Sequence, residues 1–288
     1  MAKNKPIFNK PPLSMQVTTL WDYPSQHYGD SLQGDPSYIG ATPSYIIWNL
    51  LSRYTKEKDL VVDPMCGSGT TLDVARDLNR KALGYDLNPT RPDIFHVDAR
   101  ELPLEDEKVD FVFVDPPYST HVDYSDDERC IGKLHAGGTE YYDSMRQVIG
   151  EIYRILKPGK YMGLYVSDSH EVKKGFFPIG FELFAIMREL FEPIDIISVV
   201  RHNKTLEMGN YRKAADEGNF YLRGFNYLFI MRKPLPDRKQ SKVKPARRRP
   251  EHSSSGKGYN RNRKHTSRPD KNTGSQPKSQ RNRKRPAE

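Results

Sequence analysis

Leu60-Val61-Val62-Asp63-Pro64-Met65-Cys66-Gly67-Ser68-Gly69-Thr70-Thr71 is the stretch from which the fold of this chain can be read. Three apolar residues in a row, without alternation, make a strand buried on both faces, as in a parallel sheet covered by helices. That strand runs into an aspartate, a proline and two closely spaced glycines. Leu72, Val74, Ala75 and Leu78 then fall on one face of a helix. Strand, glycine loop and helix in that order build a ligand cradle, because glycine lets the backbone approach a ligand at a helix N-terminus. A phosphate loop would place lysine just after the glycines, where this chain has Thr70-Thr71. A dinucleotide loop would carry a third glycine, and none follows.

Working outward, short apolar runs at 82–86, 94–98, 111–114, 161–166, 194–200 and 227–231 predict six further strands. A helix opens at Pro43 and runs to about Tyr54, a second covers 140–156 and ends at Lys157-Pro158-Gly159, and a third covers 181–191. Proline suits a first helical turn, and a proline-glycine pair terminates one. Strands alternating with helices predict an α/β fold: a doubly wound, mostly parallel, seven-stranded sheet. No helical pattern separates the last two strands, so an antiparallel strand is expected at the sheet edge. In such a sheet ligands bind beyond the carboxyl ends of the strands. Four strands end alike, in Asp63, Asp86, Asp98 and Asp115, so one rim should carry four carboxylates. An acidic rim repels phosphate and suits a ligand that is cationic and rich in hydrogen-bond donors.

Charge divides the 288 residues unevenly. Residues 235–288 hold 18 lysines and arginines against four acids, a net +14, while the whole chain is +9, leaving −5 for residues 1–234. That tail has almost no aliphatic residue and is expected to be disordered, since it cannot bury enough apolar surface to offset ordering entropy. Lysine and arginine among serine, asparagine and glutamine suit sequence-independent contact with nucleic-acid phosphates. The expected organisation is an N-terminal extension over 1–40, a catalytic domain over 41–234 and the tail. The two cysteines, Cys66 and Cys130, lack paired spacing and a histidine partner, so neither a zinc site nor a disulfide is expected. No apolar run reaches membrane-spanning length and none opens the chain as a signal peptide, which implies no membrane partner and a reducing cytoplasmic setting, at the nucleoid in a bacterium.

Asp63-Pro64-Met65-Cys66-Gly67-Ser68-Gly69-Thr70 resembles the cofactor loop of the amino-methylating DNA methyltransferases, and Asp115-Pro116-Pro117-Tyr118 resembles their catalytic tetrapeptide. The segment from Thr42-Pro43 to Leu51 is similar to the one that packs over the methionine part of the cofactor. Together these span roughly residues 40–233. The resemblance implies a Rossmann-like class I methyltransferase fold and S-adenosylmethionine as cofactor. It assigns Thr42, the loop from Asp63 to Thr70, Asp86, Asp98 and Ala99 to cofactor binding, with Asp86 on the ribose hydroxyls and Asp98 on the adenine amine. Asp115 and the carbonyl of Pro116 would accept hydrogen bonds from the target amine, Pro117 would stiffen the turn, and Tyr118 would stack on the extruded base.

Chemistry independent of the resemblance agrees with these roles. The lone pair of an aromatic amine is delocalised into the ring, and acceptors placed out of that plane favour a pyramidal nitrogen aimed at a methyl carbon. Consecutive prolines hold such acceptors in place beforehand. A base must leave its stack to be reached, and an aromatic platform offsets part of that cost. A cytosine-C5 methylase would need a nucleophilic cysteine, and neither cysteine follows a proline.

Target contacts are expected from His121, Asp123 and Tyr124, and from Asn203, Lys204, Tyr211 and Arg212, where basic, amide and aromatic residues interleave. The implied partner is DNA, with adenine N6 favoured because Asp heads the tetrapeptide more often in adenine enzymes of this family and Ser in cytosine-N4 enzymes. Cytosine N4 is the alternative, RNA guanine N2 another, and a non-catalytic nucleic-acid binder a distant third. Only about 20 residues separate Tyr118 from the next helix, which leaves little room for a recognition domain. Sequence specificity is therefore slight, built from 202–223, or supplied by a partner protein.

Overall fold

A computed structural model describes residues 10–236, apart from 119, 121, 123, 172 and 203–205. The expected tail thus lies, from residue 237 onward, outside the described residues.

In chain order the elements are β1 (Leu20–Trp21), α1 (Ser44–Tyr54), β2 (Leu60–Asp63), α2 (Thr70–Asp77), β3 (Lys81–Asp86) and β4 (Ile94–His96). Then come β5 (Val109–Val114), α3 (Thr139–Ile155), β6 (Leu156–Val166), β7 (Ser169–Glu171), β8 (Gly175–Phe177), α4 (Ile179–Met187), β9 (Glu192–Val200), α5 (Gly209–Glu217) and β10 (Phe225–Arg232). Eight strands form the main sheet in the order β1-β9-β10-β6-β5-β2-β3-β4, and β7 and β8 form a small hairpin of their own. All neighbours in the main sheet are parallel except β10, which runs against both β6 and β9.

The α/β class with a mostly parallel sheet stands. Two details differ from expectation. The antiparallel strand is not at the edge but between β6 and β9, and β1 adds an eighth strand beside β9. Residues 20–40, set apart by sequence as an extension, contribute that strand and the buried rings of Trp21, Tyr23 and Tyr28.

Alternation along the central strands divides the core into two layers. Val112 and Val114 of β5 face α3 and α4, packing with Met145, Ile149, Leu183 and Met187. Phe111 and Phe113 of the same strand face α1, with Ile46, Leu50 and Trp21. All six residues of β5 are buried, as a strand covered on both faces requires. Helix α3 passes into β6 with no loop, because the Lys157-Pro158-Gly159 stop lies inside the strand, where the Gly159 N–H donates to the Lys233 carbonyl. Strand β5, fixed in this way by both layers, delivers the tetrapeptide to the carboxyl rim.

Candidate active site

At the end of β2 the chain must turn sharply to enter α2. Gly67 (φ +47) and Gly69 (φ +79) adopt the left-handed conformation that side chains resist. A Cβ on Gly67 would lie 2.8 Å from the Tyr38 ring, and one on Gly69 would lie 2.6 Å from the Arg91 guanidinium. Arg91 clasps the loop from outside, donating to Asp73 at 2.8 Å and to Asp93 at 2.7 Å. From within, Asp63 accepts from the Thr71 hydroxyl (2.5 Å) and the Met65 N–H (3.2 Å). Asp86, at the end of β3, accepts from the backbone N–H groups of Gly67 (2.9 Å) and Asn88 (2.8 Å). Two strand ends are thereby tied to one loop.

Strand β5 opens directly into Asp115-Pro116-Pro117-Tyr118. The two oxygens of Asp115 accept from different sides: Thr42 Oγ1 at 2.5 Å, just ahead of α1, and the Tyr118 hydroxyl at 2.7 Å. The carbonyl of Pro117 accepts from the hydroxyl of Tyr141, a fully buried residue of α3, at 2.8 Å. Side chains from both layers of the molecule therefore fix this turn.

These elements enclose a cavity of about 640 Å3. Asp63, Asp86, Asp98 and Asp115 all line it, as do Thr42, Pro64, Met65, Cys66, Gly67, Ser68, Thr70, Ala99, Pro117, Tyr118 and Tyr124. Gly69 and Pro116 are not in the lining and act as backbone behind it. Tyr211 and Arg212 are exposed on α5 and do not line it either. The other expected target contacts, His121, Asp123, Asn203 and Lys204, lie outside the described residues. Asp98 falls two residues past β4, and both its oxygens accept from Arg100, at 2.6 Å for the closest contact.

Packing several acids around one cavity has electrostatic consequences. Asp63 is 3% exposed, and burial pushes its carboxyl up to about 7, against the lowering effect of its bonds from Thr71 and Met65. Burial does the same to Asp115, also up to about 7, with Thr42 and Tyr118 pulling the other way. The Asp86 carboxyl is raised as well, again by burial. A cation entering the cavity would favour the charged form of all three. The residues present thus fit a sulfonium cofactor with ammonium and hydroxyl donors.

Several lining residues escape the sequence reading: Tyr38, Phe113, Ser167, Asp168, His170 and Arg201; Arg223 also lines the cavity, at the end of the 202–223 segment. Asp168 had a usable signal, since it follows the apolar end of β6 as Asp63 ends β2. Tyr38 had none, because it sits in a non-periodic loop and reaches the cofactor loop only through the tertiary fold.

The family model described as DNA methylase, of the N6/N4 kind, matches residues 3–96 and 109–286. The type II methyltransferase M.HindIII of Haemophilus influenzae is 35% identical over 68 residues, 24% of this chain and 21% of that protein. M2.LlaDCHI, a type II methyltransferase of Lactococcus lactis subsp. cremoris, is 48% identical over 44 residues, 15% of this chain and 16% of its own length. The chain thus matches about a fifth or less of these relatives. Among solved structures, a SAM-dependent methyltransferase from Methanosarcina mazei is similar at 15% identity, covering 65% of this chain and 98% of that one with a TM-score of 0.43. With the family match spanning nearly the whole chain, this protein belongs to the N6/N4 DNA methylase family, whose methyl donor is S-adenosylmethionine.

Proposed function

We propose that this chain transfers a methyl group from S-adenosylmethionine to the exocyclic amine of a DNA base, with adenine N6 favoured over cytosine N4. The observation that carries the reading is Asp115, held at the cavity end of β5 by Thr42 and Tyr118 and followed by two prolines.

In this reading Asp63 and the 63–70 loop shape the pocket for the methionine part of the cofactor. Asp86 receives the ribose hydroxyls, and Asp98 with Ala99 borders the adenine. When bound, the cofactor supplies an electrophilic methyl carbon on a sulfonium. Asp115 accepts a hydrogen bond from the target amine, turning the nitrogen lone pair out of the base plane. An amine arriving at the oxygen now bonded to Tyr118 exchanges one donor for another, and the released Tyr118 ring is free to stack on the base. The cofactor's own sulfur would be the leaving group for that methyl, and the methylated amine would have one proton to lose. A carboxyl near 7 in the free cleft suits acceptance of that proton. The gain is orientation and electrostatics, with no covalent enzyme intermediate.

The test is transfer of radiolabel from S-adenosylmethionine to DNA, RNA and protein side by side, followed by mass analysis of the nucleosides. N6-methyladenine in DNA is expected, and Asp115→Ala should abolish it with cofactor binding retained. N4-methylcytosine alone would reverse the choice of base, label on RNA alone would replace the substrate, and label on nothing, with cofactor bound, would end the reading.

A further inference from the structure

The rim of the sheet changes sign across its width. Strands β3, β2 and β5 bring Asp86, Asp63 and Asp115 to the cavity, while β6, β10 and β9 bring something else. Because β9 is parallel to β6 and β10 is antiparallel to both, the carboxyl ends of β6 and β9 meet the amino end of β10 at this same rim. Ser167 follows β6, Arg201 follows β9, and Arg223 precedes β10 by two residues. The N–H of Arg201 donates to the Gly224 carbonyl at 3.0 Å, which ties the two arginine-bearing ends together. Both arginines line the cavity that holds Asp115.

Their partners differ from those of several other arginines. Arg91, Arg100 and Arg154 each pair with carboxylates. Among the described residues, Arg201 and Arg223 pair with none. Arg201 donates to the Ser167 hydroxyl at 3.2 Å. Arg223 lies 5.1 Å over the Phe176 ring and donates to the Tyr221 carbonyl, and its Nε is buried with no acceptor. Asp168, the acid of the lining that lies just past β6, is occupied by the Gly180 N–H (2.9 Å) and the Tyr227 hydroxyl (3.1 Å). An unpaired cation and a buried N–H without an acceptor are both costly, and an anion would relieve both.

Position identifies the anion. The site lies on the opposite side of β5 from the cofactor loop, with β10 two strand spacings, or about 10 Å, from β5. A base at Asp115 and its sugar bridge such a span, which brings the backbone of the same strand to the arginines. Tyr221, 86% exposed, stands at this corner and offers a ring to a neighbouring base. We infer that Arg201 and Arg223 form a phosphodiester subsite that holds the DNA strand beside the base presented to Asp115. The inference rests on the base-methylation reading and refines it, since it places the backbone contact at Arg201, just ahead of the 202–223 segment, and at Arg223, which closes it, and not at Tyr211 and Arg212.

The experiment uses the full chain saturated with S-adenosylhomocysteine and a fluorescein-labelled, mixed-sequence five-nucleotide DNA, with anisotropy read over a range of salt. Relative to the wild type, the R201Q/R223Q chain should bind more weakly, and its log–log salt slope should be shallower by about 0.7, the value for one single-strand phosphate contact. R201K/R223K should keep most of the slope. R53Q/R188Q, an equal change of net charge at two exposed positions outside the cavity lining, should leave it unchanged, and cofactor affinity should be unchanged in every variant. Equal slopes for wild type and R201Q/R223Q, or a loss matched by R53Q/R188Q, would overturn the subsite. Methyl transfer to DNA by the wild type is scored separately. If it is absent while the slopes still differ, the methylation reading fails and the phosphate subsite stands.

Discussion

Asp115 is half protonated near pH 7 in the empty cleft, because burial pushes its carboxyl up to about 7. Only the charged form can take up the proton that the amine loses, so kcat/KM should fall about tenfold per pH unit on the acid side of that value and level off above it. A pH–rate profile checks this, and a profile flat from pH 5.5 to 8.5 would remove Asp115 from the proton step. Asp63 shows the other side of the same physics. Its folded value of about 7 lies above the unfolded value of about 3.9. The folded state therefore holds the proton more tightly, and its stability contribution is complete below pH ~4 and lost as pH rises through about 7. Asp63→Asn removes that pH-dependent cost. Without cofactor it should raise the melting temperature at pH 8, by roughly 4–8 °C for about 2 kcal/mol, and change little at pH 4. The same substitution should weaken cofactor binding, which calorimetry would read directly.

At the scale of elements, the β2–α2 loop is the least forgiving part of the molecule. Gly67→Ala adds a Cβ against Tyr38 at a φ of +47, so the loop must shift or Tyr38 must leave. Cofactor affinity should drop at least about tenfold, since each 1.4 kcal/mol of misplacement is a factor of ten. Adding Tyr38→Ala removes the clash but not the backbone strain, so G67A/Y38A should regain part of the loss, and no recovery would mean that strain alone governs. This loop was legible in sequence because strand, glycines and helix face are all local signals. Strand ends were legible for the same reason, and four aspartates read one by one share one cavity. Helix α5 was not legible, since it buries only Ala215 and so has no apolar stripe to betray it. Strand β1 is two residues long and exists only by pairing with β9. The position of β10 was misread because its pairing with β9 is local and its pairing with β6 is not. A clue was present: Leu228, Phe229, Ile230 and Met231 are consecutively apolar and all buried, as suits an interior strand, whereas β9 carries Glu192 and Asp195.

Considered as a whole, the molecule separates catalysis from charge. Residues 1–234 carry −5 and all of the proposed site, and residues 235–288 carry +14. The tail is expected to act as an electrostatic anchor on DNA. If about six of its basic residues engage duplex phosphates, truncation after Pro234 should make the log–log salt slope shallower by roughly 5 units. Apparent affinity should fall with it, while turnover at saturating DNA stays nearly intact. Filter binding across salt, with and without the tail, checks this, and an unchanged slope would make the tail a solubilising extension or a dock for an acidic partner protein.

The place of β10 also shapes how the molecule comes into being. It is the last of the described strands in the chain, yet it sits between two that precede it. Until residues 225–232 leave the ribosome, β6 and β9 each present an unpaired edge to the cell, and the sheet is two unjoined pieces. An unpaired edge of that kind recruits foreign strands, and partly made chains are the species most exposed to this hazard. The nascent protein must therefore hold a slot open for its own final strand, and chains that stall just short of residue 225 should depend most on chaperones.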